Sequence, residues 1–314
     1  MADQSRVLVT GGAGFIGSHV VDGLVELGLQ VGVLDSLVTG SKANLNPKAK
    51  FFLADLTDAD AVGRVFAAFK PGMVNHHAAQ ISVASSVVDP IADAQANVMG
   101  SLTLLEACRA NDVEHLIFAS TGGALYGDPA KQPANEQMPL DPQSPYAASK
   151  AAVEAYLGAY KAMSGLKWTA LRYANVYGPR QSPDGEAGVV AIFTKKMLAG
   201  SAPVIFGSGE QQRDFVYVSD VAAANVAAIE KGLEGAYNVG TGVATSVNDI
   251  AQGLASLCGY THEIEHVAER AGEVFRITLD ATLIARDTGW QSETPLEVGL
   301  NAVVDYFRAG GGAQ

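Results

Sequence analysis

A glycine cluster near the start of the chain constrains the fold more than any other feature. The apolar, β-branched run 6–10 (RVLVT) leads directly into the segment 10–19 (TGGAGFIGSH), where Gly11, Gly14 and Gly17 recur at every third residue. Glycines at such a strand-to-helix turn allow a tight bend, let the backbone approach a pyrophosphate and bring the helix close to the strand. The sequence therefore predicts a βαβ unit that binds a dinucleotide.

An acidic residue supports this interpretation. Asp35 ends the second predicted strand, 31–35, and follows Gly17 by 18 residues. A carboxylate there accepts a hydrogen bond from a ribose 2′-hydroxyl and repels a 2′-phosphate. Because the sequence has no arginine near Asp35, we predict NAD rather than NADP.

Short apolar segments alternate with amphipathic segments through the first half of the chain, which is typical of βαβ units around a buried parallel sheet. Strands are predicted at 6–10, 31–35, 51–55, 73–79, 115–120 and 168–173, and helices at 58–69 and about 92–110. The predicted fold class is α/β: a doubly wound parallel sheet of the Rossmann type with a smaller mixed α/β substrate lobe.

The rhythm changes after a loop rich in proline and glycine at 177–188. We predict an NAD-binding domain at 1–178, with a strand and a helix returning to it near 213–240. Residues 179–314 are predicted to form mainly a smaller substrate-binding lobe. Ligands of open α/β sheets bind at the carboxyl ends of the strands, so we expect this lobe to close over that edge.

Charge and cysteine content exclude several classes of partner. The 314 residues carry a net charge of −12 and no basic run, so we expect binding neither to nucleic acid nor to an anionic membrane. No segment approaches the roughly 18 apolar residues of a membrane span. The two cysteines, Cys108 and Cys258, form no disulfide framework or CxxC pair, which predicts a cytoplasmic location.

A Tyr-x-x-x-Lys pair indicates acid–base chemistry. Tyr146 and Lys150 are four residues apart in a helical segment and so share one helix face. A free tyrosine has a pKa of about 10, which must fall by roughly three units for the phenol to act as a base near neutrality. We expect the Lys150 ammonium and the positive nicotinamide ring to lower it.

From residue 7 to the DTGW segment at 287–290, the chain resembles the extended short-chain dehydrogenases/reductases, and within them the NAD-dependent nucleotide-sugar epimerases. The shared segments are TGGAGFIGSH, HHAAQISVASSVVDP, PYAASK, LRYANVYGPRQ, GSGEQQRDFVYVSD and ERAGEV. The resemblance implies 4-epimerisation of UDP-glucose and UDP-galactose: Tyr146 takes the proton of the 4-hydroxyl, hydride passes to NAD and returns to the opposite face of a 4-keto sugar. It also implies a homodimer formed by helices 92–108 and 148–163.

The resemblance assigns the site residues one by one. Cofactor contacts are implied for Gly11, Gly14, Phe15, Ile16, Gly17, Asp35, Asp55, Leu56, His77, Ala78, Ala79, Gln80, Asn97, Tyr146 and Lys150. Substrate contacts are implied for Ser82, Thr121, Tyr146, Asn175, Val190, Arg213, Arg270 and Glu273. The two arginines match residues that hold the diphosphate, and guanidinium groups suit phosphate oxygens. Glu273 stands where the family pattern more often has Asp.

The segment 120–127 (STGGALYG) departs from the family at the catalytic hydroxyl. The usual Ser or Thr aligns with Gly122. Either catalysis is lost, or Thr121 supplies the hydroxyl, with Ser120 or water as further candidates. We favour Thr121 and expect the two glycines to help by adopting backbone conformations that other residues avoid. Thr121, Tyr146 and Lys150 are thus the predicted catalytic residues.

Several alternatives stay open at this stage. Nucleotide-sugar dehydratases place a carboxylate beside the catalytic hydroxyl, whereas this chain has Gly122, Gly123 and Ala124, which disfavours dehydration. By resemblance, residue 277 limits the size of the sugar. Ile277 is smaller than the tyrosine of strict hexose epimerases and leaves N-acetylhexosamines open, as well as glucuronate. A non-catalytic NAD-binding sensor and a reductase with net redox change remain as other classes.

The sequence also holds two weak metal signals. The HEIEH segment at 262–266 matches the His-Glu-x-x-His pattern of zinc proteases, but in a strand its histidines would lie about 13 Å apart, too far to share a metal. His76 and His77 end a strand beside the predicted cofactor, where contact with NAD is the simpler interpretation. We predict no metal site.

Overall fold

The computed structural model describes residues 3–129, 131–184, 188–269 and 274–311. The strands are β1 (Asp3–Thr10), β2 (Gln30–Asp35), β3 (Lys50–Leu53), β4 (Pro71–His76), β5 (His115–Thr121), β6 (Lys167–Tyr173), β7 (Asn175–Tyr177), β8 (Val204–Phe206), β9 (Gln212–Tyr217), β10 (Gly235–Val239), β11 (Ala244–Ser246), β12 (Glu265–Val267) and β13 (Arg276–Ile277). The helices are α1 (Phe15–Glu26), α2 (Ala59–Phe69), α3 (Val83–Val88), α4 (Pro90–Ala94), α5 (Gly100–Ala110), α6 (Gly122–Leu125), α7 (Pro145–Ser164), α8 (Val189–Leu198), α9 (Val218–Lys231), α10 (Val247–Cys258), α11 (Thr282–Thr288) and α12 (Leu296–Arg308).

Seven parallel strands form the central sheet in the order β10-β6-β5-β4-β1-β2-β3. Alternate side chains of each strand point to opposite faces, and both faces are covered. Leu8, Leu34 and Val74 pack under α2, α5 and α7, whereas Val7 and Val33 pack under α1 and α9. Burial on both faces explains why the strand segments are apolar throughout. The predicted doubly wound parallel sheet is confirmed.

The helix that carries the Tyr-x-x-x-Lys pair is defined at both ends by its own sequence. The Ser144 side chain caps α7 by accepting a hydrogen bond from the Ala147 backbone N–H at 3.2 Å, and Pro145 occupies the first turn. At the other end Gly165 adopts a left-handed conformation with φ of 75°. These signals hold α7 at 20 residues, long enough to cross the face of the sheet.

The helix expected at 92–110 is not continuous. The structure divides it into α4, a π-helical turn at Gln95–Met99 and α5. π-Helical turns insert an extra residue into a helix and are frequent at functional sites. The inserted turn contains Asn97, whose amide group faces the segment after β4.

The second half of the chain forms a smaller lobe and also returns to the first domain. β7, β9, β11 and β13 form a four-stranded sheet, and β8 pairs with β12. α8, α10 and α12 pack around a separate apolar core that includes Val190, Ile250 and Val303. Helix α9 packs on α1, and β10 is the edge strand of the seven-stranded sheet. The exact division at residue 178 stays a prediction.

Candidate active site

The glycine turn between β1 and α1 has no room for larger side chains. A Cβ on Gly17 would lie 2.2 Å from the Gly11 carbonyl oxygen, so only glycine fits where helix and turn meet. Gly11 has φ of +68°, and a Cβ there would lie 2.6 Å from the Ala78 nitrogen. The turn is thus built for close approach of backbone to backbone. Phe15 and Ile16 open α1 directly after it, with the helix N-terminus at the carboxyl edge of the sheet.

Asp35 ends β2 beside this turn and is buried. One carboxylate oxygen accepts from the Ala13 N–H at 3.0 Å, and the other accepts from the Leu37 N–H at 2.8 Å. These two bonds fix the plane of the carboxylate and tie it to the glycine turn. Each oxygen keeps a second lone pair for a ligand hydroxyl.

A chain of hydrogen bonds fixes the backbone that follows β4. The Thr10 hydroxyl accepts from the Ala78 N–H at 3.2 Å and lies 2.7 Å from Nδ1 of His76. Nε2 of His76 lies 2.9 Å from the Ser101 hydroxyl, which donates to the Asn97 carbonyl oxygen. Burial holds the pKa of His76 well below its usual value, so the ring is neutral. His76 is therefore a structural residue with both ring nitrogens engaged.

The predicted cofactor segment His77–Gln80 is held from behind by Asn97. The Asn97 amide oxygen accepts from the Gln80 N–H at 2.8 Å, and the amide nitrogen donates to the Gln80 carbonyl oxygen at 2.9 Å. The same nitrogen donates to Asp93 at 3.0 Å. Asn97 was expected as a direct cofactor contact. The structure shows it holding the backbone of Gln80 at the end of this segment, and a direct contact with the cofactor stays a prediction.

The predicted catalytic residues are brought together from two elements. Tyr146 and Lys150 share one face of α7, and Thr121 ends β5. Burial raises the pKa of the Tyr146 phenol to about 12, the charge of Asp93 adds to this rise, and a hydrogen bond with the Thr121 side chain opposes it. The expected lowering of this pKa does not come from the protein's own residues, because desolvation of the phenolate outweighs them.

Lys150 lies buried between Phe118 and Tyr146. Its ammonium donates to the Ala119 carbonyl oxygen at 3.0 Å and lies 4.7 Å from the centre of the Phe118 ring and 5.9 Å from that of Tyr146. Burial lowers its pKa to about 8, while the charges of Asp93 and Glu154 oppose this fall. The ammonium is thus held close to the phenol with a proton that it can lose near neutral pH.

The Ser120 hydroxyl is engaged with a different residue of α7, Glu154. It donates to Glu154 at 2.6 Å, and Glu154 forms a buried, two-pronged ion pair with Arg172 at 3.1 and 2.6 Å. The Arg172 guanidinium also donates to the Tyr126 hydroxyl at 2.8 Å. Of the hydroxyls at the end of β5, that of Thr121 is therefore the one beside Tyr146.

Gly122 and Gly123 do not use unusual backbone conformations. Both form the start of α6, and neither has a positive φ. The expectation that glycine flexibility turns Thr121 inward is therefore wrong. Thr121 has an ordinary extended conformation with φ of −133°, and space rather than flexibility explains Gly122, where a Cβ would lie 2.4 Å from Cδ1 of Leu279.

Other predicted contacts have different surroundings. Ser82 caps α3, accepting from the Ser85 N–H at 2.8 Å. Asp55 is exposed and accepts from the N–H and the hydroxyl of Thr57, both at 2.8 Å. Leu56 packs into the core under α2. All three lie in segments that follow the carboxyl ends of β3 and β4.

The predicted substrate residues of the smaller lobe come from neighbouring elements. Asn175 begins β7, and Arg213 lies in β9, the strand that β7 pairs with. The Arg213 guanidinium donates to the carbonyl oxygens of Gln212 at 2.9 Å and Phe275 at 3.3 Å. Val190 in α8 is only 1% exposed, so its side chain belongs to the lobe core and only its backbone can face a ligand.

The remaining predicted substrate residues are Arg270, Glu273 and Ile277. Arg270 and Glu273 lie outside the described residues. Ile277 is 2% exposed and packs in the core opposite Arg213 in the strand register. A cavity of about 80 Å³ near Arg213 is lined by Phe206, Gly207, Ser208, Gln211, Glu269, Val274 and Phe275.

The HEIEH segment does not form a helix. Glu265–Val267 is strand β12, and Nδ1 of His266 lies 3.0 Å from the Gly207 carbonyl oxygen. Across the described ranges, no group of three or more His, Cys, Asp or Glu side chains is placed to hold a metal ion. In the same ranges, no helix combines the length and apolarity needed to cross a membrane.

Sequence reasoning missed three residues that hold the catalytic pair. Ser86 in α3 accepts from the Tyr146 backbone N–H at 3.1 Å. Asp93 and Glu154 bring the negative charges that act on Lys150. Asp93 precedes Asn97 by four residues, and Glu154 follows Lys150 by four. That helical spacing could have identified both acids, whereas no sequence signal marks Ser86.

Comparison with known families gives one match over most of the chain. Residues 7–240 match the sequence profile described as the NAD dependent epimerase/dehydratase family. A relative from Methanocaldococcus jannaschii, named as a putative UDP-glucose 4-epimerase, is 46% identical over 303 residues. These residues span 96% of this chain and 98% of the relative.

Solved structures of similar proteins agree with this match. A UDP-glucose 4-epimerase from Thermotoga maritima, solved with UDP-glucose, is 48% identical with a TM-score of 0.95 over 97% of this chain and 99% of that one. A UDP-glucose 4-epimerase from Thermus thermophilus, solved with NAD, is also 48% identical, with a TM-score of 0.93 over 96% of this chain and 99% of that one.

Proposed function

This chain belongs to the NAD dependent epimerase/dehydratase family, and we propose that it interconverts UDP-glucose and UDP-galactose by inversion at C4, using NAD. One observation carries the choice within the family: Thr121 and Tyr146 meet at the end of β5, and no carboxylate follows Thr121 on α6. Expulsion of a hydroxyl from the sugar requires an acid at that place. The nearest acid along α7, Glu154, is held in the ion pair with Arg172.

The residues at the carboxyl edge of the sheet fit NAD. The Gly11 and Gly17 positions leave no room for a Cβ, which brings the N-terminus of α1 close to a pyrophosphate. Asp35 offers free lone pairs to a ribose diol and a negative charge that opposes a 2′-phosphate. The fit rests on the chain's own geometry: Asp35, the turn and the segment 77–80 are tied together by hydrogen bonds.

The catalytic roles follow from the positions of three side chains. Tyr146 exchanges a proton with the sugar 4-hydroxyl. The Thr121 hydroxyl hydrogen-bonds to the phenol oxygen of Tyr146 and to the sugar O4. NAD, when bound, supplies the hydride acceptor and donor, and the positive charge of its oxidised ring opposes the effect of burial on the Tyr146 pKa. Lys150 holds its ammonium beside the phenol and stabilises the phenolate. The diphosphate is assigned to Asn175, Arg213 and, by resemblance, Arg270 and Glu273.

We also propose a homodimer. Large apolar side chains are exposed on the helices that the resemblance assigns to the dimer: Met99 at 48%, Tyr156 at 41% and Met163 at 69%. Ile91 is exposed on the adjacent α4. Several large apolar side chains exposed on helices that pack on one another support a protein–protein contact there.

We place the protein in the cytoplasm. Cys108 and Cys258 are both free thiols, and Cys108 is buried. Burial raises the pKa of both thiols, which keeps them protonated and unreactive. A chain that leaves two cysteines unpaired suits a reducing compartment.

The decisive experiment is incubation of the purified protein with UDP-galactose, without added cofactor, followed by proton NMR of the sugar. Formation of a mixture with UDP-glucose is expected for an epimerase that retains its NAD. The Tyr146→Phe variant, folded as judged by circular dichroism, should lose this conversion.

Absence of conversion, also after addition of NAD, would contradict the proposed substrate. Conversion of UDP-N-acetylglucosamine or UDP-glucuronate instead would assign a different sugar to the same chemistry. Failure of all three in a protein that still binds NAD would indicate a binding protein. Stoichiometric consumption of NAD would indicate a reductase.

A further inference from the structure

Asp93 is a buried carboxylate that the known roles of the site do not use. It lies on α4, is 1% exposed and packs behind the Tyr-x-x-x-Lys helix. Burying a carboxylate is costly unless it is paired or hydrogen-bonded. A residue retained in this setting needs a physical reason.

The two oxygens of Asp93 are used unequally. Oδ1 accepts from Nε2 of Gln80 at 2.9 Å and from Nδ2 of Asn97 at 3.0 Å. It therefore anchors both Gln80 and Asn97, the two residues whose mutual hydrogen bonds fix the cofactor segment. Oδ2 is buried and makes no hydrogen bond to the part of the chain that the structure describes. An amide oxygen could replace Oδ1 without loss of either bond. The hydrogen bonds therefore explain a polar residue at position 93 but not a charged one.

The charge has an identifiable target. Among the groups around the catalytic pair, Asp93 acts from α4 on both Tyr146 and Lys150, and Glu154 acts on Lys150 from α7 itself. His76 is the last residue of β4, and His77 follows it. Both imidazoles are neutral because burial lowers their pKa values, to about 3 for His77. Glu154 shares its charge with Arg172. Asp93 is thus the acid near the pair that has an oxygen without a hydrogen-bond partner among the described residues.

We infer that Asp93 is a positioning residue with two functions: Oδ1 orients Gln80 and Asn97, and the carboxylate charge keeps the proton on the Tyr146–Lys150 pair. Since burial alone favours a neutral amine at Lys150, the nearby carboxylate restores the ammonium that stabilises a phenolate. The same charge holds Tyr146 as a phenol until a substrate or a cationic ring approaches. The inference rests on the proposed function for its catalytic meaning only.

The Asp93→Asn variant separates charge from hydrogen bonding, because the amide oxygen can accept the two bonds that Oδ1 accepts. Its matched control is Asp89→Asn, which changes the exposed acid that caps the same helix and acts on neither member of the pair, and asparagine can keep the cap. The pH dependence of kcat and of kcat/KM is measured for both variants and for the unchanged protein. We expect both limbs of the profile of Asp93→Asn to shift to lower pH by about half to one unit.

A second readout needs neither substrate nor cofactor. The proton state of Lys150 is followed by the NMR chemical shift of the side-chain carbon next to its amine, assigned with Lys150→Met. The titration midpoint, near the pKa of about 8 of the unchanged protein, is expected to fall by about half a unit or more in Asp93→Asn and to stay in place in Asp89→Asn. If Asp93→Asn does not fold, the smaller uncharged variant Asp93→Ser is titrated instead.

The outcomes separate this inference from the proposed function. An unchanged Lys150 midpoint in Asp93→Asn, or a profile that falls in height without moving, would assign Asp93 a purely structural role and overturn the inference. A protein inactive on every nucleotide sugar would contradict the proposed function. The Lys150 titration would still decide whether Asp93 sets the charge of the pair.

Discussion

Leu279 fills the space that a side chain at Gly122 would need. Its Cδ1 lies 2.4 Å from the place of a Cβ on Gly122, well inside any real contact. Leu279 is fully buried, and its N–H donates to the Asp214 carboxylate at 3.2 Å. Asp214 also accepts from Thr241 and Gly242, so it ties the backbone at 279 to the segment 241–242. The departure from the family's hydroxyl at this position is therefore coupled to a leucine on the neighbouring loop.

This coupling predicts opposite effects for two neighbouring glycines. Gly122→Ala should lower the free energy of unfolding by about 1–3 kcal/mol because it overpacks the core against Leu279. Gly123→Ala is the matched control: its Cβ meets only Asn175 at 3.3 Å and Thr121 at 3.9 Å, and alanine favours helix. Urea unfolding measures both.

A double-mutant cycle tests the partner. In Gly122→Ala combined with Leu279→Ala, the loss of stability should be smaller than the sum of the single losses by at least about 1 kcal/mol. Additive losses would show that Leu279 is not what excludes a side chain at 122.

Thr121 and Ser120 are predicted to differ in their effect on turnover. Thr121→Val keeps the shape of the side chain but removes the hydroxyl beside Tyr146, so kcat should fall about 100-fold or more. Ser120→Ala removes a buried hydrogen bond to Glu154 and should cost about 1 kcal/mol of stability with kcat nearly unchanged. Steady-state kinetics and urea unfolding of both variants give the comparison. Near-normal turnover of Thr121→Val would exclude it as the catalytic hydroxyl.

Breaking the Glu154–Arg172 pair is predicted to lower the free energy of unfolding. Both side chains are 7% exposed, and each would be left as an uncompensated buried charge without the other. Glu154→Gln should therefore lower the free energy of unfolding by about 3–5 kcal/mol, whereas replacing both residues, Glu154→Leu with Arg172→Met, should recover much of it. Denaturant midpoints measure the three variants. A double variant as unstable as the single one would show that the destabilisation comes from losing the ion pair and not from leaving one buried charge unpaired.

Stability is predicted to fall in mild acid, and His115 is one of the buried histidines, with His76 and His77, whose lowered pKa values cause this fall. Burial, assisted by the charge of Lys167, lowers the pKa of His115 to about 4 in the folded protein. As pH falls below about 6.5, the His115 pKa of the unfolded state, the unfolded chain takes up the proton, whereas the folded protein takes it up only near pH 4. The stabilisation is therefore complete above pH 6.5, is lost progressively as pH falls, and is gone at about pH 4. His115 alone accounts for a loss of about 1.4 kcal/mol per pH unit, or about 2 kcal/mol between pH 6.5 and 5.

Urea unfolding at several pH values measures this slope. The His115→Gln variant should have a smaller slope over the same pH range. Its amide keeps a polar partner for the Thr169 hydroxyl, which His115 contacts in the core. Equal slopes in the two proteins would place the acid sensitivity elsewhere.

Local sequence determined those parts of the site that depend on backbone geometry and helical spacing. The glycine spacing places Gly17 against the Gly11 carbonyl oxygen, where a Cβ would lie 2.2 Å away, so this position of the turn excludes larger residues. The four-residue interval places Tyr146 and Lys150 on one helix face, and Ser144 and Gly165 mark the ends of that helix. Each of these features involves neighbours in the chain, so short-range sterics and hydrogen bonding are sufficient to specify it.

Tertiary structure decided the rest, because the partners are far apart in sequence. The neighbour of Gly122 is Leu279, which lies 157 residues away in the chain. No local pattern shows that the Leu279 side chain fills the space that a side chain at position 122 would need. The same holds for the pKa of Tyr146. The sequence shows Lys150 one helical turn from Tyr146, whereas the burial and the Asp93 charge that raise the pKa of Tyr146 arise only when α4 packs on α7. Desolvation and long-range charge depend on the assembled fold, and the sequence alone does not display them.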